Sequence, residues 1–346
     1  MNQVDKNLIV PKTIEKKGIV FYDATKAPFS HHGVWYEDGK FYRVDKNVAP
    51  LVSPSVVQKS TQTAGGRIRF KTDSPYIAIK AVFHNTEVVT IMADVAVKGF
   101  DFYVDGVFVR SFSPAPGQGD GEFESIREVG GEGGEHEITI NMPLYAGITE
   151  LYIGLDEKAS LSAAEPYKIS KPVVFYGSSI TNGACASRPG MTYESIISRR
   201  LNCDFHNLGF GGSARGESAM ADYIAGMEMS AFVYDYDHNA PSVEHLANTH
   251  EAMFMKVREK HPTLPIIMLS RPQDLNREAL KARFEVVKAT YDNAKARGDE
   301  NVYLINGSTL FDGLDADYTV DAVHPNDLGF GRMAAAVAEI LEKVLK

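Results

Sequence analysis

A chain of 346 residues, 44% of them apolar, has the length for two domains and apolar surface for two buried cores, which excludes a disordered chain and a disulfide miniprotein. Its 36 basic and 45 acidic residues give a formal net charge of -9, so no global positive field draws in a nucleic-acid backbone or an anionic membrane, and neither is an expected partner. Two cysteines, Cys185 and Cys203, cannot staple a fold of this size and are read as thiols, compatible with a reducing compartment.

Met1 to Leu8 contain Asp5 and Lys6 and no apolar signal-type run, and nowhere does an apolar run approach membrane-spanning length. Cytoplasmic placement is the default expectation, with secretion the alternative if a leader had been removed. From about Ile9 to Leu155 the pattern is short β-type runs broken by turn residues: 66–70, 76–82, 88–91, 100–104, 107–109 and 136–140. These predict an antiparallel β-sandwich or jelly roll over residues 1–165. Asp105-Gly106 between two alternating runs signals a hairpin, because that turn needs residues tolerating positive φ. Pro114 to Glu135, rich in Gly, Pro and acids and without periodicity, reads as a long surface loop.

After Ser160 a polar, small-residue linker runs to Pro166, and from 166 to 346 strands alternate with helices. Predicted strands are 172–176, 203–208, 231–235, 265–270 and 301–305, each apolar on both faces. Predicted helices span 193–201, 213–229, 243–260, 277–297 and 327–345. Five βα units make a three-layer αβα fold with a mostly parallel, five-stranded sheet. Chemistry in such folds sits beyond the carboxyl ends of the strands.

Three strand ends and one late turn carry candidate groups. Gly177-Ser178-Ser179-Ile180 places a serine pair at a strand-to-helix turn, where capping and nucleophilic roles stand about even. Gly209-Phe210-Gly211-Gly212 offers unobstructed backbone N–H groups, and Asn239 offers an amide donor; with the Ser179 N–H they would cradle a developing oxyanion. Asp321-Ala322-Val323-His324 sets a carboxylate three residues before an imidazole, fixing its tautomer so that Nε2 can accept a proton. Pro325 fits the start of the last helix. The histidines offer no metal-ligand spacing, and no metal or other cofactor is expected.

These residues resemble the SGNH hydrolases, also called GDSL esterases and acylhydrolases: Ser179, Gly212, Asn239 and His324 fall in the family's order, with Asp321 in its Asp-x-x-His. The resemblance covers about 168–346. It implies nucleophile Ser179, base His324, orienting Asp321 and oxyanion donors from Ser179, Gly212 and Asn239. Ser178 replaces the aspartate of Gly-Asp-Ser-Leu, and Asp237 and Ala240 stand where Gly-x-Asn-Asp has glycine and aspartate. Gly99-Phe100-Asp101-Phe102-Tyr103 resembles the Gly-x-Asp-Leu-Tyr signature of the β-sandwich that precedes certain bacterial members, and the two-domain layout is similar to carbohydrate esterases of the second family, which remove acetyl groups from plant polysaccharides. Arg188-Pro189-Gly190 and Ser270-Arg271-Pro272 look like loops of these members; Arg271 would orient substrate or pair with a carboxylate.

The implied function is a serine esterase acting on short acyl esters, acetyl first, on a carbohydrate or other small-molecule alcohol, through an acyl-enzyme. Since an imidazole must be neutral to accept a proton, kcat/KM is expected to rise with pH through a single limb. Lipid or thioester acyl hydrolysis is the nearest alternative. A dinucleotide site is a rival, because Gly209 to Ala214 matches Gly-x-Gly-x-x-Ala with Asp235 ending the next strand. A non-catalytic carbohydrate binder is another, from the aromatic cluster Trp35, Tyr36, Phe41 and Tyr42. Homo-oligomerisation is left open.

Overall fold

A computed structural model describes residues 9–10, 14–115, 118–130, 133–273 and 278–345. The segment Met1 to Leu8 and the predicted helix start at Arg277 lie outside the described residues, as do 116, 117, 131 and 132 of the predicted Pro114 to Glu135 loop. The chain divides into two compact units. Two short segments do not follow the single cut near residue 165 read from the sequence: Val44–Ser60 belongs to the second unit and Ser187–Gly190 to the first.

The first unit is an antiparallel β-sandwich. Its strands are β1 (Ile9–Val10), β2 (Ile19–Asp23), β3 (Ser30–His32), β4 (Trp35–Glu37), β5 (Lys40–Tyr42), β6 (Arg67–Thr72), β7 (Tyr76–His84), β8 (Phe100–Val104), β9 (Val107–Phe112), β10 (Gly121–Glu128), β11 (His136–Asn141) and β12 (Gly147–Asp156). They form two five-stranded sheets, β1-β2-β12-β7-β10 and β3-β6-β11-β8-β9, beside the hairpin β4-β5. Alternate residues of both sheets meet in one core, among them Ile77, Ile79, Phe83, Leu151 and Ile153 from the first and Ile68, Phe70, Phe100, Phe102, Ile138 and Ile140 from the second. Asp105 and Gly106 both have positive φ, 49° and 80°, and turn β8 into β9 as expected.

Two expectations fail here. The 88–91 run is no strand: β7 ends at His84, Asn85 turns the chain at φ 53°, and Val88 is 87% exposed. The predicted 114–135 loop contains β10, which pairs with β7 from Gly121↔Phe83 to Glu128↔Tyr76. As an edge strand, β10 buries Phe123 alone and leaves Glu122 and Glu128 exposed and Glu124 and Arg127 half-buried, which hides its alternation.

The Gly-x-Asp-Leu-Tyr-like stretch has a physical job. Asp101 on β8 is fully buried and accepts hydrogen bonds from Asn141 Nδ2 at 2.7 Å, from the Gly190 N–H at 2.8 Å and from Arg188 Nη1 at 2.8 Å. Arg188 also donates to the Tyr103 hydroxyl at 2.5 Å, and its guanidinium lies 3.7 Å from the Phe108 ring centroid. The signature's Asp and Tyr therefore hold the segment Ser187–Gly190.

The second unit is a three-layer αβα fold. Strands β13 (Ile169–Gly177), β14 (Cys203–Gly209), β15 (Ala231–Asp235), β16 (Ile266–Leu269) and β17 (Val302–Ile305) form a wholly parallel sheet in the order β14-β13-β15-β16-β17. Among its helices are α1 (Ser179–Asn182), α2 (Tyr193–Leu201), α3 (Ser218–Ala225), α4 (Val243–Lys260), α5 (Glu278–Ala296) and α6 (Asp327–Val344). Helix α2 packs with α6, and α4 packs with both α3 and α5. The residues Val174, Tyr176, Phe232, Tyr234, Ile266 and Met268 bury against α3, α4 and α5, and Phe175 faces Tyr193 of α2. Val44, Ala49 and Val56 of the exchanged segment join the first of these cores. Helix α3 is shorter than the predicted 213–229, because Gly216 at φ 73° gives its N–H to the Tyr176 hydroxyl at 2.9 Å and delays the helix to Ser218. Among the described residues no helix is long and apolar enough to cross a membrane.

Candidate active site

In the order β14-β13-β15 the sheet direction of winding reverses at β13 and β15, the place where such folds leave a crevice beyond the strand ends. Both strand ends carry expected groups. Directly after β13, Ser178 is fully buried and its Oγ accepts the Ile180 N–H at 3.1 Å, so the capping role belongs to Ser178. Ser179 is the first residue of α1, and its Oγ lies 2.8 Å from His324 Nε2. Close packing dictates the glycines around this turn. A Cβ on Gly177 would collide with Asp235 Oδ1 and Thr181 Oγ1, and one on Gly209 would collide with the α1 backbone at Thr181 and Asn182. The one-turn helix lies where only glycines at the ends of β13 and β14 leave room.

The imidazole arrives on a short closed loop. Thr319 bridges Pro325, the Val320 N–H donates to the His324 carbonyl at 2.9 Å, and Ala322 turns the chain at φ 63°. Asp321 Oδ2 lies 2.8 Å from His324 Nδ1, while Oδ1 accepts the backbone N–H groups of His324 at 2.8 Å and Val323 at 3.1 Å. Burial works against the Asp321 charge, but the hydrogen bonds from the His324 N–H and ring, the His324 charge and the Val323 N–H together hold its carboxyl below its ordinary value. An ionised Asp321 offers only lone pairs, so Nδ1 donates and Nε2 presents its lone pair to Ser179. Pro325 is not the helix start expected of it. Asn326 caps α6, its Oδ1 accepting from Leu328 at 3.0 Å and Gly329 at 3.1 Å, and Pro325 stays in the bridge to Thr319.

Of the expected oxyanion donors, Asn239 is held at the Phe210 carbonyl, beside the turn that carries Gly212. That carbonyl accepts from Ser213 N–H at 2.8 Å, Ala214 N–H at 3.0 Å and Asn239 Nδ2 at 2.9 Å. The first two bonds close the turn carrying Gly212, and the third fixes Asn239 with one amide hydrogen, leaving its second N–H. Gly212, at φ 71°, faces open space, and its carbonyl is engaged by Arg215 Nη2 at 3.1 Å and Nε at 3.3 Å. Next to it Ser213 Oγ pairs with Ser55 Oγ at 2.6 Å. Ser55, far away in sequence, has no periodic or motif signal that would have marked it.

Asp237, standing where glycine was expected before Asn239, is buried. Its Oδ2 accepts the Arg271 N–H at 3.1 Å and its carbonyl accepts Arg283 Nη1 at 2.6 Å. Burial pushes its carboxyl up to about 6 against the pull of the Arg271 N–H and of the Arg271 and Arg283 charges. Arg271 thus stands beside Asp237, but through its backbone N–H, a contact that favours neither of the two roles expected of its side chain. Ser179, His324 and Asp321 form one hydrogen-bonded chain.

Two rival readings lose their footing. No helix opens at the Gly209 to Ala214 turn, since α3 begins at Ser218, and Asp235 is buried under α1 with Thr181 as partner, unavailable to a ribose. In the aromatic cluster Phe41 is fully buried, with Tyr36 edge-on to it at 5.0 Å and the Tyr36 hydroxyl bonded to the Thr149 carbonyl, so these rings serve the sandwich. Among the described residues no three His, Cys, Asp or Glu side chains gather as a metal-binding group.

Comparison with known proteins bears on the family and the fold. The model of the GDSL-like lipase/acylhydrolase family matches residues 170–342, and that of the N-terminal region of SGNH-type esterases matches 19–161. A Bacteroides ovatus protein named for its likeness to GDSL lipases is 30% identical, with TM-score 0.83 over 94% of this chain and 98% of its own. Two more distant structures share the fold. One is a salicylyl acyltransferase from a tetracycline biosynthetic pathway, 20% identical with TM-score 0.78 over 95% of this chain and 99% of its own. The other is a family two carbohydrate esterase from Clostridium thermocellum in complex with cellohexaose, 14% identical with TM-score 0.64 over 91% and 98%. No curated protein sequence matches the chain. With a family model spanning nearly all of the parallel sheet and a relative matched along nearly its full length, the chain belongs to the GDSL-like lipase/acylhydrolase family and is a carboxylic ester hydrolase.

Proposed function

We propose that the protein hydrolyses short acyl esters, acetyl before longer chains, carried on a carbohydrate, through an acyl-enzyme on Ser179. The observation that carries the mechanism is the hydrogen-bonded chain Ser179 Oγ, His324 Nε2, His324 Nδ1, Asp321 Oδ2, with both links at 2.8 Å. A serine hydroxyl is a weak nucleophile until a base accepts its proton as the new bond forms. In this mechanism Ser179 Oγ attacks the acyl carbon while its proton passes to His324 Nε2. Asp321 holds the ring and stabilises the imidazolium. The oxyanion takes hydrogen bonds from the N–H groups of Ser179 and Gly212 and from the free amide hydrogen of Asn239. When the carbon–oxygen bond to the alcohol breaks, His324 returns the proton to that oxygen. Water then attacks the acyl-serine, giving its proton to His324, which passes it to Ser179 Oγ as the bond from the acyl carbon to that oxygen breaks and the acid leaves.

The carbohydrate alcohol is supported by the architecture shared with the Clostridium thermocellum esterase bound to cellohexaose. The short acyl group is supported by the sequence, which has no apolar lid-like stretch of the kind that meets an oil surface. Turnover of p-nitrophenyl esters from acetate to decanoate, with the Ser179→Ala protein as control, tests both parts. Highest kcat/KM on acetate and none in the control is expected. A preference for decanoate would remove the short-acyl assignment, and full turnover by Ser179→Ala would remove the nucleophile.

A further inference from the structure

Asp235 closes β15 on a strand whose every residue is buried, and its carboxyl lies beneath the turn that carries Ser179. Its donors come from both sides of that serine. The Ser178 N–H precedes it, the Thr181 hydroxyl follows two residues later, and the Tyr193 hydroxyl of α2 adds a longer contact at 3.4 Å. The space for this carboxyl exists because residue 177 is glycine. From the other side, Asn207 Nδ2 donates to the Thr181 carbonyl at 2.5 Å and to Glu194 Oε1 at 3.3 Å. Helix α1 is four residues long, too short to hold its own shape, so these anchors decide where Ser179 Oγ sits relative to His324.

We infer that Asp235 is a positioning residue for Ser179, its carboxyl bracketing the nucleophile turn at Ser178 and Thr181 so that it governs kcat and not substrate affinity. The inference rests on the assignment of Ser179 as nucleophile. Burying an acid costs free energy that an apolar residue at the end of an apolar strand would avoid, and all of its hydrogen-bond donors lie on or beside α1. Misplacing a reacting group by about 1 Å costs on the order of a hundredfold in rate. Truncating the carboxyl would loosen Ser179 by this route without touching the substrate.

The groups facing Asp235 are Ser178 and Thr181 on the turn, Tyr193 and Glu194 on α2, and Asp237 just beyond β15. Burial pushes the Asp235 carboxyl up to about 8, the Thr181 hydroxyl resists, the Asp237 charge adds to the rise, and the Tyr193 and Ser178 bonds resist. Near neutrality the carboxyl therefore keeps its proton. Above pH 8 a buried negative charge would appear under the turn where the oxyanion must form, slowing the chemical step and adding a falling limb to the single rising limb expected from the sequence.

The test compares wild type, Asp235→Ala, Thr181→Val and Ser179→Ala on p-nitrophenyl acetate from pH 6 to 9, with thermal melts to establish folding. A folded Asp235→Ala protein is expected to lose about 10- to 100-fold in kcat with KM within twofold of wild type, and to lack the alkaline decline near pH 8 expected of wild type. Thr181→Val is expected to lower kcat selectively as well, and it decides the matter if Asp235→Ala does not fold. Wild-type kcat and pH profile in the folded variant would overturn the inference while an inactive Ser179→Ala left the nucleophile standing. An active Ser179→Ala protein would remove both.

Discussion

Asp321 grips His324 at two points, accepting the ring Nδ1 on Oδ2 and the backbone N–H on Oδ1, each at 2.8 Å. One carboxylate thus sets both the ring's tautomer and the backbone that carries it. An asparagine offers a single acceptor oxygen, so Asp321→Asn must turn its amide N–H toward either the ring or the backbone donor. With the ring's tautomer no longer secured, kcat on p-nitrophenyl acetate should fall by about 10²- to 10⁴-fold. Steady-state kinetics would check this, and a loss below about threefold would count against an orienting role for Asp321.

Asn239 donates one amide hydrogen to the Phe210 carbonyl and has the second for the oxyanion. A single preorganised donor is worth about 3 kcal/mol in the transition state. Asn239→Ala should therefore lower kcat on the order of a hundredfold while leaving KM within a few-fold. A larger effect on KM than on kcat would mean that the amide binds substrate and not the tetrahedral intermediate.

Gly177 has no room for a methyl group, because Asp235 Oδ1 and Thr181 Oγ1 occupy the position. Those atoms belong to a buried network and cannot swing into solvent. Gly177→Ala should destabilise the fold by about 1–3 kcal/mol or more, seen as a lower denaturant midpoint, and reduce activity in whatever remains folded. An unchanged midpoint would mean that the network yields easily.

In the sandwich, Arg188 is the cation facing fully buried Asp101. Removing one partner of a buried pair leaves an uncompensated charge, and the cost is typically about 3–5 kcal/mol. Arg188→Ala should lose stability on that scale. Arg188→Lys should recover only part of it, since an ammonium cannot reproduce both the Asp101 and Tyr103 bonds and the stacking on Phe108. Equal stability of the alanine and wild-type proteins in urea would refute this role.

Buried His250 bonds Thr290 Oγ1 through Nδ1 at 2.8 Å and stacks on Tyr234, and burial pushes its imidazole down to about 3. The unfolded chain binds this proton below the ordinary histidine value, about 6.5, whereas the folded chain does not until about pH 3. Stability from this group is present above pH 6.5 and is lost as the pH falls toward 3, by at most about 1.4 kcal/mol per pH unit. Relative to a His250→Phe protein, wild type should lose stability steadily between pH 6 and 4. A pH-independent difference would show that His250 is protonated in the fold.

The parallel sheet was legible in the sequence because its central strands are apolar runs, as in Ala231–Asp235 and Ile266–Leu269, where every residue is buried. The exposed edge strand β10 was not, since its alternation is masked by charges that protect an edge. Val44–Ser60 was equally silent. Its two short helices, Ala49–Val52 and Pro54–Lys59, are too brief for periodicity, and only tertiary packing reveals that Val44, Ala49 and Val56 belong to the second unit's core. At the site, residue order was enough to nominate Ser179, Asn239, Asp321 and His324. It could not separate Ser178 from Ser179, because both suit a helix start; the capping bond to Ile180 does that. Nor could a one-dimensional reading join Asp235 to Thr181 or Ser55 to Ser213, pairs that are 54 and 158 residues apart.

Acyl-enzyme trapping addresses the nucleophile most directly. Protein mixed with p-nitrophenyl acetate, quenched in acid within the first turnovers and digested, would be mapped by mass spectrometry. A single acetyl group on Ser179, absent after Ser179→Ala substitution, is the predicted result. Acetyl on Ser178, or steady turnover by the Ser179→Ala protein, would contradict it.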